Sequence, residues 1–513
     1  MPCLPLNRRH FMKLGAGIGV LTSLLPLTSA HAATDRPADL TEWSALTLSD
    51  AIRKGEVGCR EVMIAYLERI ERLNPTYNAI VSLQPRETLL VEADKADSEL
   101  VKGHYRGWMH GFPHAVKNLA ATAGILTTKG SPLFSQWVPD HDDIFVERIR
   151  AAGAILIGKT NTPELGLGSQ TYNPVHGPTR NAWDPSLCAG GSSGGAAVAL
   201  ATRMLPVADG SDMMGSLRNP AAFNNVFGFR PSQGRVPRGP NGEMFYQQLS
   251  YQGPMGRDVA DAARLLATMA GFDHRVPMSL STDTSRFAAP LDTQLAGVKV
   301  GWLGDFDGYL SLESGILALC EKGLATFEQQ GATVEPTQPD FSMPELWQTW
   351  LTLRHFLIAG GTSELYANPE NRAQMKPELI WEIEGGQNLS ALDVYRASSA
   401  RSRWYQALDQ MFEHYDVLAL PTAQVFPFDV DIHWPEQIAG KSMDTYHRWM
   451  EVVIPGTLAG CPVANVPVGF DERGRPMGIQ LIGRMKEDLK VLQIAHSYTR
   501  ASGLFQQHPD ITA

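Results

Sequence analysis

The run Gly190-Gly191-Ser192-Ser193-Gly194-Gly195 constrains this chain more than any other stretch of its 513 residues. Glycine lets backbone N–H groups come close to a reacting atom. The alanine-rich segment Ser193 to Met204 opens directly after these glycines and reads as a helix. A second turn of the same kind follows, Asp212-Met213-Met214-Gly215-Ser216, and Lys117 ends an earlier apolar segment, Phe112 to Val116. A hydroxyl beside a deprotonatable amine can act as a nucleophile without histidine or metal. Together these features point to covalent hydrolysis of an acyl compound.

The rest of the chain narrows the partners. Net charge is −10, and no Lys/Arg-rich run interrupts the sequence, which argues against nucleic acid or an anionic membrane surface. Arg8-Arg9-His10-Phe11-Met12-Lys13 is a twin-arginine pattern, followed by an apolar stretch from Leu14 to Leu27 and by Ala30-His31-Ala32, an A-x-A cleavage site. About 14 apolar residues with a proline are too few to span a bilayer, so no stable membrane anchor is expected. Residues 1–32 therefore read as a cleaved signal resembling those of the bacterial Tat pathway. The expected location is periplasmic or secreted, with the Tat machinery as a transient partner. Cys59, Cys188, Cys320 and Cys461 remain after the leader, widely spaced and without a C-x-x-C pair, so they read as small buried side chains.

Apolar periodicity places helices over Leu46 to Leu73 (stopped by Asn74-Pro75), Asp143 to Ala152, Asp258 to Met269, Glu313 to Gln330 and Glu487 to Arg500. Short apolar runs at Phe112 to Val116, Ala154 to Gly158, Val298 to Leu303, Val417 to Leu420, Pro462 to Val468 and Gly478 to Ile482 read as strands. The last two flank Asp471-Glu472-Arg473-Gly474-Arg475-Pro476, a hairpin turn. Pro277 to Leu291 is the weakest-patterned region. The expected fold is α/β: one large domain over 33–513, with a mixed, mostly parallel central sheet flanked by helices.

Gly190 to Gly194 formally matches G-x-S-x-G, the nucleophile elbow. That motif needs a strand just before the serine, and Asn181 to Ala189 is instead turn-prone with an internal proline. It also needs a histidine and an acid; His433, His447 and His496 are present, none in a telling motif.

A better match comes by resemblance. Gly111-Phe112-Pro113-His114-Ala115-Val116-Lys117, Gly190 to Gly195 and Asp212 to Arg218 resemble, in order and spacing, the three core segments of the amidase signature family. Gly158-Lys159-Thr160-Asn161 with Glu164, Gly253-Pro254-Met255 and Gly478 to Gly483 support it, so the resemblance runs from about residue 40 to 500. It implies a Ser–cisSer–Lys triad, with Ser216 as nucleophile, Ser192 as proton bridge behind a cis peptide and Lys117 as base. The N–H groups of Met213, Met214, Gly215 and Ser216 would form the oxyanion hole. Gly168 and Ser169 would belong to the substrate cleft, with a purely structural hydroxyl as the alternative for Ser169. Asp212 and Arg218 read as residues that pin the nucleophile loop, paired bidentately, and Ser193 as a helix cap.

Two positions depart from the family pattern. Met214 stands where glycine is common, so either it narrows the acyl pocket or it only fills space. Asn118 stands where many members have aspartate, and the simplest reading is a structural amide. Trp183, Tyr172 and Trp434, and the region Trp347 to Phe356, are candidates for a pocket wall or for core.

The function expected is an exported amidase that needs no cofactor or metal and acts on a small-molecule amide. The alternatives are a glutamine-dependent amidotransferase A-type subunit, an esterase built on Ser192, and a binding protein on a retired amidase scaffold.

Overall fold

The computed structural model describes residues 37–511 apart from 241 and 247, so the signal-like leader lies outside the described residues. Asp39–Ala513 forms one compact unit. Two sheets organise it. The smaller holds β1 (Ile80–Val81), β2 (Pro113–Lys117) and β3 (Ile155–Thr160) in the order β1-β3-β2, with β2 parallel to β3. Both longer strands are buried along their whole length, which is why their sequences lack alternation.

The larger sheet is built from β4 (Ala208–Asp212), β5 (Phe227–Arg230), β6 (Tyr251–Gly256), β7 (Lys299–Trp302), β8 (Thr333–Pro336) and β9 (Val417–Pro421). After a two-residue pair, β10 (Gln437–Ile438) and β11 (Lys441–Ser442), it is completed by β12 (Val463–Phe470) and β13 (Pro476–Gly483). Its order is β4-β6-β5-β12-β13-β9-β7-β8. The α/β class and the mixed sheet flanked by helices match expectation, but "mostly parallel" does not. In this sheet only β9 with β7 and β7 with β8 pair in parallel; the neighbours from β4 across β6, β5, β12 and β13 to β9 are all antiparallel. For the β12–β13 pair at the centre of the sheet the reason is local. The turn after Phe470 closes within a few residues, with Gly474 N–H donating to Asp471 O at 3.0 Å, and a tight turn can join only antiparallel neighbours.

The helix expected from Leu46 to Leu73 is two helices, Ala45–Arg53 and Cys59–Tyr77. Gly55 takes a left-handed backbone between them, at φ +68°. Pro75 is held inside the second helix, which stops only at Asn78 in the αL conformation. Pro277 to Leu291 is loop with one short 3-10 turn, Thr284–Ala288, inside the same compact unit and not at a boundary. Helix Met343–Ala367 packs against both Pro377–Gln387 and Ala391–Met411, and a capping box of Ser390 and Asp393 opens the last. Trp347 and Trp350 are buried in the core, which settles them as packing residues. The four described cysteines are free and buried. Among the described residues no helix is long and apolar enough to cross a membrane.

Candidate active site

Lys117 is the last residue of β2, and the strand drives its side chain into the interior, where it is 2% exposed. Its Nζ lies 2.8 Å from Ser192 Oγ, 2.8 Å from Ser193 Oγ and 3.0 Å from Ser211 Oγ. Three hydroxyls thus receive the three N–H donors of an ammonium group. None carries a negative charge, so burial dominates and brings the lysine down to about 7, against the attraction of Asp209 and Asp212. A neutral amine keeps two donors and gains a lone pair, so one of the same hydroxyls can donate to it instead. Asp209 is engaged elsewhere: it accepts from the Lys117 backbone N–H at 3.2 Å and lies 3.0 Å from His114 Nε2.

The Gly191–Ser192 peptide is cis. The glycines of this loop are required by contact. A Cβ on Gly194 would overlap the Thr171 hydroxyl, and one on Gly195 the backbone nitrogen of Asn161. Ser169 Oγ donates to Gly191 O at 2.6 Å, and Thr171 Oγ1 to Gly190 O at 2.7 Å, which clamps the loop from below. Ser169 is therefore engaged under the loop, whereas Gly168 lines the cleft. Ser193 makes no side-chain cap; its hydroxyl faces Lys117, correcting the capping expectation.

Ser216 arrives on the turn after β4. Ser193 N–H donates to Ser216 O at 3.2 Å, which ties the two serine loops together. Asp212 and Arg218 form a fully buried bidentate pair, Arg218 Nε to Oδ2 at 3.0 Å and Nη2 to Oδ1 at 2.9 Å. Burial alone would raise the Asp212 carboxyl, yet Arg218 and Arg230 hold it well below the usual carboxylate range. The same carboxylate accepts the backbone N–H groups of Gly215 at 3.0 Å and Leu217 at 3.1 Å. Gly215 is thereby removed from the expected oxyanion donors, leaving Met213, Met214 and Ser216. Gly215 needs to be glycine: its φ is +78°, and a Cβ would come within 2.7 Å of Asn219 Oδ1. Met214 avoids the left-handed region, is buried and lines the cleft, so it both packs and narrows. Asn118 donates to Thr128 Oγ1 at 2.9 Å, a structural amide.

Lys117, Ser192, Ser211 and Ser216 open into one cavity of about 360 Å³, walled in part by Leu119, Trp137, Met213, Met214, Ile358 and Met450. The elbow alternative lacks its context, because no strand precedes Ser192, and His433, His447 and His496 do not line this cavity.

A family model described as Amidase matches residues 61–492. This chain belongs to the amidase family. Like other members it is an enzyme of amide C–N bonds. It is similar to an acylamidase of Rhodococcus erythropolis, 32% identical over 461 residues, covering 89% of this chain and 94% of that protein. It is also similar to the A-type subunit of the glutamyl-tRNA(Gln) amidotransferase of Thermosynechococcus vestitus, 33% identical over 484 residues, covering 90% and 98%. In structure it resembles a bacterial aryl acylamidase of the amidase signature enzymes, with a TM-score of 0.84 and 28% identity over 90% of this chain and 98% of that one.

Several residues of this amidase site escaped sequence reasoning. Ser211 was hidden because nothing distinguishes it from other loop serines. Lys159, in the Gly158-Lys159-Thr160-Asn161 stretch, is a second buried amine brought to about 7 by burial, donating to Ala120 O at 2.7 Å and Thr122 Oγ1 at 2.6 Å. Arg354 reaches the cavity from the helix Met343–Ala367, and is engaged with Glu382 and with Tyr446 OH at 2.6 Å. A lone arginine between Trp350 and Leu353 on one side and Ile358 on the other was the available signal.

Proposed function

We propose that this chain is an exported amidase working through a Ser216 acyl-enzyme. The observation that carries the reading is the uncharged-prone amine of Lys117 held on a cluster of serine hydroxyls in the cavity that Ser216 also lines. Near neutral pH this amine accepts the Ser192 proton, Ser192 takes that of Ser216, and Ser216 Oγ attacks the amide carbon. The oxyanion meets the N–H groups of Met213, Met214 and Ser216, and one such donor is typically worth about 3–4 kcal/mol in the transition state. Collapse returns the proton through Ser192 to the leaving nitrogen, and ammonia or an amine departs. Water then repeats the relay and frees the acid. Asp212 and Arg218 hold the loop and carry no proton. The apolar wall of the cavity suits acyl or aryl groups, in keeping with the acylamidase relatives.

The twin-arginine leader supports export to the periplasm or beyond. A second reading, the ammonia-releasing component of a tRNA-dependent transamidase, has the 33% identical relative behind it. The leader and the absence of basic runs in the sequence count against it. A fluorophosphonate probe separates the readings of the site: labelling at Ser216, abolished in Ser216→Ala and strongly reduced in Lys117→Ala, supports the assignment. Labelling at Ser192 would transfer it to the esterase alternative, and no labelling would favour a binding protein. Cell fractionation of full-length protein, with and without Arg8→Lys/Arg9→Lys, tests export.

A further inference from the structure

The cavity is lined by cations that its chemistry does not use. Besides Lys117, it is lined by Lys129, Arg238 and Arg354. Arg354 is neutralised by Glu382. Lys129 and Arg238 are not: among the described residues neither head group makes a hydrogen bond or an ion pair. Lys129 Nζ rests instead on aromatic faces, 4.3 Å from the ring centre of Phe134 and 4.5 Å from that of Trp137. Both residues are partly buried, and burial lowers the affinity of each for its proton.

Two acids also line the cavity; Asp143 attracts both cations from a distance, but neither acid forms an ion pair with them. Asp209 is committed to His114 and the Lys117 backbone. Asp143 accepts the Ala121 N–H at 3.2 Å and forms no ion pair with either cation; burial moreover raises its carboxyl. A guanidinium and an ammonium that line the cavity with no hydrogen bond or ion pair of their own have donors free for an anionic group of a ligand.

We propose that Lys129 and Arg238 form an anion subsite, and that the substrate is an amide bearing a carboxylate on its acyl or amine part. This rests on the amide-hydrolase reading and names the substrate class it leaves open. Arg238 offers a planar fork for the carboxylate and Lys129 a point charge on an aromatic seat.

The test uses binding, so that it does not depend on turnover. The ligands are the 4-nitroanilide of butyric acid, the mono-4-nitroanilide of succinic acid, which replaces the terminal methyl with carboxylate, and N-butyryl-4-aminobenzoate, which places the carboxylate on the amine side. Each is titrated calorimetrically into Ser216→Ala protein. At least one carboxylate ligand is expected to bind about tenfold more tightly than the neutral one, with the preference weakening as ionic strength rises. Adding Arg238→Gln and Lys129→Met should reduce the preference to within about twofold. Equal binding of all three ligands overturns the proposal, as does a preference that survives the double substitution, since the carboxylate would then sit on Lys117 or Arg354. Release of 4-nitroaniline from the butyric anilide by the wild-type protein reports on hydrolysis alone. Failure to cleave any of the three amides, carboxylate-bearing ones included, alongside an intact carboxylate preference would remove the hydrolase reading and keep the subsite.

Discussion

Lys117→Met makes the protonation of this buried amine visible as stability. The amine falls from 10.5 to about 7 on folding. Between those two pH values the unfolded chain carries a proton on this side chain that the folded chain does not, so this side chain's contribution to wild-type stability rises with pH across that window. Each pH unit corresponds to about 1.4 kcal/mol, so burying the lysine costs about 5 kcal/mol below pH 7 and nothing above 10.5. Methionine fills nearly the same space and titrates nowhere. It also leaves Ser192, Ser193 and Ser211 without their shared donor, a loss that does not vary with pH in this range. Lys159 titrates in both proteins and cancels from the difference. Urea melts at successive pH values should show the variant gaining most, relative to wild type, at pH 7 and below. That advantage should shrink by about 1.4 kcal/mol per pH unit above it. Parallel curves for the two proteins would mean that Lys117 keeps an ordinary proton affinity, and the base assignment would lose its physical ground.

The same amine sets the pH dependence of turnover. Deprotonation activates the relay, so log kcat/KM is expected to rise with unit slope up to about pH 7 and then level off; a profile flat across neutral pH contradicts it. Asp212→Ala leaves Arg218 and Arg230 buried without their carboxylate and should destabilise the fold by about 3–5 kcal/mol in chemical denaturation, with activity lost in the protein that still folds. A change below about 1 kcal/mol would show that the pair does not hold this loop.

What could be read from the sequence was decided by how local the cause is. Lys117 at the end of an apolar run, and serines set among glycines, are features of a few adjacent residues, and the structure brings Lys117, Ser192 and Ser216 to one cavity. Strand direction is not local. Alternating strands and helices indicate layers, yet the order β5-β12-β13-β9 joins segments far apart in sequence, and the turn at Asp471 to Arg475 revealed the direction of the β12–β13 pair alone. Arg354 and Lys159 lay inside stretches whose neighbours are apolar, so they read as part of a helix or strand pattern. Their partners, Glu382 and Tyr446 in one case and Ala120 and Thr122 in the other, are supplied by other elements. Ser193 misled for a related reason: a serine before a helix ordinarily caps it, but here Lys117 competes successfully for the hydroxyl.

Arg218 does more than face Asp212. Its Nη1 also donates to Val453 O at 2.8 Å and to Gln480 Oε1 at 2.6 Å, and its Nη2 to Thr457 Oγ1 at 2.8 Å. The turn that carries Ser216 is thus braced by residues translated long after it, the last of them in the final strand of the fold. A ribosome-bound chain that has yet to emerge beyond Gln480 holds every proposed catalytic side chain but lacks the scaffold that orients them. Competence therefore arrives late in synthesis, and a fragment truncated before β13 would stay inert however well its first half had folded.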